Sequence, residues 1–136
     1  MQSRQPRSLE IAGVTHGAAP IPMGARVGNV IYSSGILGKD PATDKLPPDA
    51  ASQARFVFEN MRALLEQGGA SLEDVVRVTA YIKNNDVRDA LNAEWVKCFP
   101  DPHDRPARHT LVYDLAGAML VQIEIVAVVQ QAGGAA

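Results

Sequence analysis

The stretch MLVQIEIVAVV, Met119 to Val129, is the strongest constraint on how this chain folds. It alternates as an extended strand does, so Val121, Ile123, Ile125 and Ala127 share one face while Gln122 and Glu124 project together from the other. The first face belongs to a core. The second sets two polar groups among apolar neighbours, and it either meets water at mid-length or serves as a site or an interface.

The rest of the chain must supply the elements that pack on this strand. SLEIAG and ARVGNVIYSSGIL read as two short strands in a hairpin-like start, separated by APIPMG, where Pro20 and Pro22 block regular pairing. The turn-rich GKDPATDKLPPD ends at Asp49, a helix cap. Ala54, Val57, Phe58, Met61, Leu64 and Leu65 then recur at helical spacing until Gly68 and Gly69 stop them. In SLEDVVRVTAYI the Ser71 to Asp74 spacing resembles a capping box, but the alternation of Val76, Val78, Ala80 and Ile82 makes the segment a strand after one turn. A second helix has Asp86 as its N-cap, runs through Val87, Ala90, Leu91, Trp95, Cys98 and Phe99, and ends at Pro100. The loop PDPHDRPARH, a strand HTLVYD and a turn near Gly117 lead to the final strand.

The order β-β-α-β-α-β-β predicts an α+β fold, one mixed sheet with its helices packed on one face. The other face needs a cover. Because the last strands are apolar on both faces, that cover is expected to be another subunit of a symmetric homo-oligomer. With 136 residues, 46% of them hydrophobic, the chain suits a single domain over residues 1–136, with residues 1–7 and 131–136 as flexible tails.

Charge and composition exclude several function classes. Lys and Arg total 13 against 15 acidic residues, and aromatic residues are only 5%, so neither a positive field nor a set of stacking platforms exists for nucleic acid. The longest apolar run is too short to span a bilayer and MQSRQPRSLE lacks the apolar region of a signal peptide, so a cytoplasmic protein without membrane contact is expected. The single cysteine, Cys98, falls on the apolar side of the second helix and reads as packing. His16, His103 and His109 are scattered, and the Asp101 to Asp104 loop has no metal-ligand spacing, so no metal is expected.

Two places could carry chemistry. Arg108 follows a Pro-containing loop and precedes a strand, which suits a guanidinium fork holding a carboxylate in a cleft at the sheet edge; a surface arginine paired with Asp101 or Asp104 is the competing reading. In YSSGIL, Ser33, Ser34 and Gly35 allow close backbone approach to a ligand, or mark a plain bulge.

The succession GNVIYSSG, DPATDKL, QARFVFENMRALLEQGGASLEDVVRVTAYI, LNAEW, RPARHTLV and VQIEIVAV resembles the Rid family (YjgF/RidA, endoribonuclease L-PSP), from Gly28 to Val129. Its most specific parts are Pro106-Ala107-Arg108 and GASLEDVV. The resemblance implies a chorismate mutase-like α+β fold, a homotrimer with ligand clefts between subunits, and hydrolysis of reactive imines and enamines to keto acids and ammonia without metal or cofactor. It also implies that Arg108 binds a substrate carboxylate, that Ser34 and Gly35 line the cleft, and that Asn92 of the second helix contributes. At four positions this chain departs from the family pattern: Gln122 stands where active deaminases carry Glu, Ile21 after Pro20 where they carry Tyr, Ile36 where they carry Gln, and Thr110 where many carry Cys. A carboxamide cannot act as a general base; it can only hold a water or ligand by hydrogen bonds. The expected catalytic pair is therefore Arg108 and Gln122, with Ser34, Gly35, Asn92, Thr110, Ile21 and Ile36 as substrate-binding residues. Ile21 and Ile36 imply a more apolar cleft. The expected function is imine or enamine deamination of a small carboxylate, with a non-catalytic trimeric carboxylate-binding or regulatory module as the alternative and RNA cleavage as the weakest reading.

Overall fold

In the computed structural model, which describes residues 5–130, the C-terminal strand is the spine of the sheet. The elements in chain order are β1 (Ser8–Leu9), β2 (Gly24–Val27), β3 (Val30–Ser33), β4 (Ile36–Leu37), α1 (Ala50–Gln67), β5 (Val75–Ile82), α2 (Arg88–Cys98), β6 (Ala107–Val112) and β7 (Val121–Val128), with short 3-10 turns at Leu72–Asp74 and Asn85–Val87. The strands form one sheet in the order β1-β2-β3-β7-β5-β6, with β4 also paired to β7. Only β5 and β6 are parallel, and the crossover between them is α2. This is the mixed sheet with two helices on one face that the element order predicts.

The alternation of β7 sets which face is core. Val121, Ile123, Ile125 and Ala127 are at most 2% exposed, packed with Val57, Phe58, Met61, Leu64 and Leu65 of α1 and with Leu91 and Trp95 of α2. Gln122, Glu124 and Val126 are half-buried on the opposite face. There Val27, Tyr32, Tyr113 and Val128 expose 37% to 61% of their surface, a patch that one chain leaves bare.

Three local expectations need correction. ARVGNVIYSSGIL is not one strand but three: a two-residue turn at Gly28 and Asn29 separates β2 from β3, and Gly28 takes the positive φ of 61° that such a turn demands. β3 and β4 both pair with β7, but their registers differ by one residue, so Ser33 to Gly35 form a bulge. Val76, which the alternation groups with Val78, Ala80 and Ile82, is 51% exposed while those three are buried, because a second bulge lies between Val75 and Arg77. Finally, Asp86 does not cap α2. The Asn84 side chain accepts the Asp86 N–H at 2.9 Å, and the chain first makes a 3-10 turn. Asp49 does cap α1, accepting from the Ser52 N–H at 2.8 Å, and Gly68 ends that helix.

Of the expected tails, residues 1–4 and 131–136 lie outside the described residues; Arg7 is tied to the sheet, its carbonyl accepting from the Arg26 N–H at 2.8 Å.

Two buried amides of α1 hold the irregular backbone beside the bulge. Gln53 is fully buried; it donates to the Pro47 and Ala118 carbonyls and accepts from the Leu120 N–H, all at 2.8 to 2.9 Å. Asn60, about two helical turns further on, donates to the Leu37 and Lys39 carbonyls at 3.0 and 2.9 Å. Together they satisfy groups that no strand ladder reaches, and they fix both the start of β7 and the end of β4. Gln53→Met, which keeps volume but removes these bonds, is expected to destabilise the fold by about 2 to 4 kcal/mol. The check is urea unfolding at fixed protein concentration: the midpoint falls and the slope is unchanged.

Candidate active site

Arg108 sits on β6, the edge strand, opposite Val78 of β5 and on the helix side of the sheet. Its guanidinium carbon lies 4.9 Å from the centroid of the Trp95 ring, a cation–π contact that holds the fork against α2. Nε donates to Thr110 Oγ1 at 2.9 Å and an Nη donates to Asn92 Oδ1 at 2.6 Å. Three elements converge here because β6 pairs in parallel with β5 and α2 bridges them. Neither Asp101 nor Asp104 supplies these contacts, so the fork is built from α2 and β6 and its remaining N–H donors are left for a ligand. Burial, and then the neighbouring Arg88 charge, lower the guanidinium pKa. Both causes disfavour an isolated cation at this spot, and a neighbouring negative charge would offset them.

Gln122 lies on the other face. It packs across the bulge: a Cβ on Gly35 would sit 2.6 Å from Gln122 Nε2, so only glycine lets the carboxamide lie where it does. Ser34 fastens the bulge to the proline-rich segment, donating from its N–H to the Met23 carbonyl at 2.9 Å and from its hydroxyl to the Pro22 carbonyl at 2.7 Å. That bond brings Ile21, 50% exposed, alongside. Ser33 completes the bulge by accepting the Ile125 N–H at 2.8 Å. Bulge and close approach are therefore the same feature. Ile36 is the exception among the expected residues: it pairs with Ile123, is 0% exposed and belongs to the core, so it adds nothing to an apolar cleft.

The expected residues thus form two groups, Arg108 with Asn92 and Thr110, and Gln122 with Gly35, Ser34 and Ile21. They do not meet within one chain. Arg108 and Gln122 are two strands apart and offset by three residues in register, a Cα separation of about 14 Å, and their side chains leave opposite faces of the sheet. No small acid can touch both.

Beside Gln122 the outer face opens into a cavity of about 400 Å³ between Tyr81, Tyr113, Leu115, Met119, Gln122 and Glu124. The Tyr81 hydroxyl donates to Glu124 Oε1 at 2.9 Å, and the Tyr113 ring meets Tyr81 edge-on at 5.9 Å. That bond, with burial behind it, raises the phenol pKa, so Tyr81 stays a protonated donor. Sequence reasoning passed over Tyr81 and Trp95. The signals were present: Tyr81 falls between Ala80 and Ile82 in an alternating strand, and Trp95 lies three residues after Asn92 on one helix face.

The remaining candidates have structural roles. Cys98 is half-buried, burial raises its pKa, and Arg62 donates to its sulfur at 3.7 Å; as a neutral thiol it is a packing group. Among the described residues no three His, Cys, Asp or Glu side chains gather where a metal could be held, and no helix is long and apolar enough to cross a membrane. A larger cavity, about 650 Å³, lies by Arg7, Arg26 and Gly68 and contains none of the residues above.

The chain is similar to known proteins over nearly all of this architecture. The family model described as endoribonuclease L-PSP matches residues 18–129. A RutC family protein of Aquifex aeolicus is 36% identical over 116 residues, covering 81% of this chain and 93% of the relative. The 2-iminobutanoate/2-iminopropanoate deaminase of Escherichia coli is 32% identical over 111 residues, covering 80% and 87%. Among solved structures, RidA from the Antarctic bacterium Psychrobacter sp. superposes with a TM-score of 0.82 at 31% identity, covering 93% of this chain and 100% of that one. The YjgF gene product of Escherichia coli does so with a TM-score of 0.80 at 27% identity, covering 90% and 98%. A mixed sheet with two helices on one face, shared at this level with RidA and YjgF, is the chorismate mutase-like α+β fold, and the chain belongs to the Rid family (YjgF/RidA, endoribonuclease L-PSP).

Proposed function

We propose that this protein hydrolyses small imines or enamines that carry a carboxylate, releasing a keto acid and ammonia, in clefts between the subunits of a homotrimer. The observation that carries the reading is the built fork at Arg108, stacked on Trp95 and held by Asn92 and Thr110, with donors left over for an anion. The similarity to the Escherichia coli deaminase supports the substrate class.

The separation of the two residue groups supports an assembly in which neighbouring copies share a cleft. If Arg108 anchors the carboxylate and Gln122 orients the water, the two must come from different subunits, and the exposed sheet face with Tyr32 and Val128 supplies the contact surface. Imine hydrolysis is chemically easy, so anchoring the acid and presenting an ordered water accelerates it through proximity. Gln122 donates from its amide to the imine-side acceptor and accepts from the water.

A second reading is favoured by one residue: with a carboxamide at position 122, the same clefts would bind a small carboxylate without turnover, as a regulatory module. RNA cleavage has a net charge of −2 against it.

The test is ammonia and keto-acid release from imines generated in situ by an amino-acid oxidase. Wild type is expected to turn over, and Arg108→Ala to lose about 2 to 4 kcal/mol of transition-state binding, roughly 30- to 1000-fold in kcat/KM. Binding of a keto acid without ammonia release would favour the regulatory module instead. The intersubunit cleft has its own check. Arg108→Ala and Gly35→Leu subunits, each inactive alone, are expected to regain activity when co-expressed, because about a quarter of the clefts in a random mixture then pair an intact half from each. No recovery, with mixed trimers shown by mass spectrometry, would place the whole site in one chain.

A further inference from the structure

Resting on the imine-hydrolase reading, we infer that the turn from Tyr113 to Met119 is the pocket for the substrate's side chain, and that the preferred imino acids carry a bulky apolar one, branched aliphatic or aromatic. The cavity of about 400 Å³ on the outer face is lined from two sources. Strands β5 and β7 contribute Tyr81, Gln122 and Glu124, and the turn contributes Tyr113, Leu115 and Met119. The turn's share is uncharged: Leu115 is 4% exposed, Met119 is half-buried, and the Tyr113 ring meets the Tyr81 ring edge-on. The volume is in the range of small-molecule sites and roughly a dozen times that of one water, far more than a methyl group requires.

A pocket selects between side chains only if its wall is fixed, and Lys83 fixes this one. The Lys83 N–H donates to the Leu120 carbonyl at 2.9 Å, and its ammonium donates to Asp114 Oδ1 at 2.8 Å and to the Leu115 carbonyl at 2.5 Å. From the helix side Gln53 donates to the Ala118 carbonyl at 2.9 Å. The turn is therefore tied near its start and near its end, and the ammonium is spent on these bonds. Within that frame the Met119 thioether can adapt to apolar groups of different shape, and the two phenol rings offer edges and faces to them.

The competing reading is that a side chain of the next copy fills the cavity once the outer face is covered. Glu124 weighs against it. Among the described residues its carboxylate has the Tyr81 phenol as hydrogen-bond partner, and a tightly packed apolar plug would strip the remaining water from a charge. A small acid held at its carboxylate by Arg108 of a neighbouring copy leaves room for water beside Glu124 while its side chain lies along the turn. An acidic side chain would meet Glu124 with no cation among the lining residues, whereas a basic one would be drawn to it, so both enter the test.

The experiment measures kcat and KM on imines generated in situ from alanine, leucine, phenylalanine, glutamate and arginine, for wild type, Met119→Trp, Met119→Leu and Lys83→Met, with the oligomeric state followed by light scattering. Wild type is expected to favour the leucine and phenylalanine imines over the alanine imine by roughly tenfold or more in kcat/KM, the discrimination that added apolar carbons give in a fitted pocket. Met119→Trp, which fills the space, should cut that preference by about tenfold or more, and Met119→Leu, close to it in volume, should keep it. Lys83→Met, which frees the turn, should lower the preference several-fold through a higher KM for the larger imines, since the wall touches the side chain and not the reacting atoms. A wild type that favours the alanine, glutamate or arginine imine, or a Met119→Trp with unchanged preference, would overturn the pocket and leave the hydrolase standing. A Met119→Trp chain that falls to monomers would show Met119 packed against the next copy, and would also overturn it. Calorimetric titration of wild type needs no variant: 4-methyl-2-oxopentanoate is expected to bind about tenfold or more tightly than pyruvate, and equal affinity would overturn the pocket. A wild type inert on every imine that still binds the larger keto acid more tightly would remove the hydrolase and keep the pocket.

Discussion

Strand β7 cannot slip. It is hydrogen-bonded to β3, β4 and β5 at once, and its side chains alternate between a face packed against both helices and a face that carries Gln122 and Glu124. A shift of one residue would drive both polar groups into the core and bring four aliphatic side chains out, a change no neighbouring strand could absorb. Every other placement in the molecule is referred to that register, including Tyr81 beside Gln122 and Arg108 two strands away.

A sheet pinned so firmly would ordinarily be regular, yet the candidate residues Ser34, Gly35 and Gln122 lie where regularity fails. The bulge at Ser33 to Gly35 inserts one extra residue opposite β7, and the Ser33 hydroxyl takes the Ile125 N–H that the interrupted ladder leaves unpaired. The carbonyls and amide that remain are met from below by Gln53 and Asn60 of α1. A buried amide is costly unless each of its groups is paired. Here it supplies donors and an acceptor where no strand does, so the backbone can bend around the bulge and still be satisfied. Gly35 then leaves space for the Gln122 carboxamide.

The division of candidate residues between two faces explains the rest of the architecture. A guanidinium on an edge strand can be stiffened from one side by a helix, as Trp95 and Asn92 do for Arg108, while its far side stays open. A carboxamide in the middle of the sheet has no such opening in the plane and must work from the bare face. Under the proposed reading, residues set this way in one chain complement each other when a second copy is laid against the sheet. The apolar residues exposed beside Gln122 and Glu124 fit that arrangement.

The alternation of MLVQIEIVAVV, the Asp49 cap and the glycine stop of α1, the order of strands and helices, and the candidacy of Arg108 and Gln122 were legible in the sequence. Each is written in residue types at fixed local spacing, or in a run of motifs characteristic of a family. What the sequence left open depends on register between distant segments. The turn at Gly28 and the two bulges arise from how β3, β4 and β5 meet β7, and Ile36 became core because its partner is Ile123. Only the tertiary structure decided that Arg108 and Gln122 face opposite ways, or that Tyr81 reaches Glu124 across 43 residues of chain. A two-residue period says which side chains share a face of their own strand; which strand lies next to it, and which face that strand turns toward the helices, is decided by the packing of the whole chain.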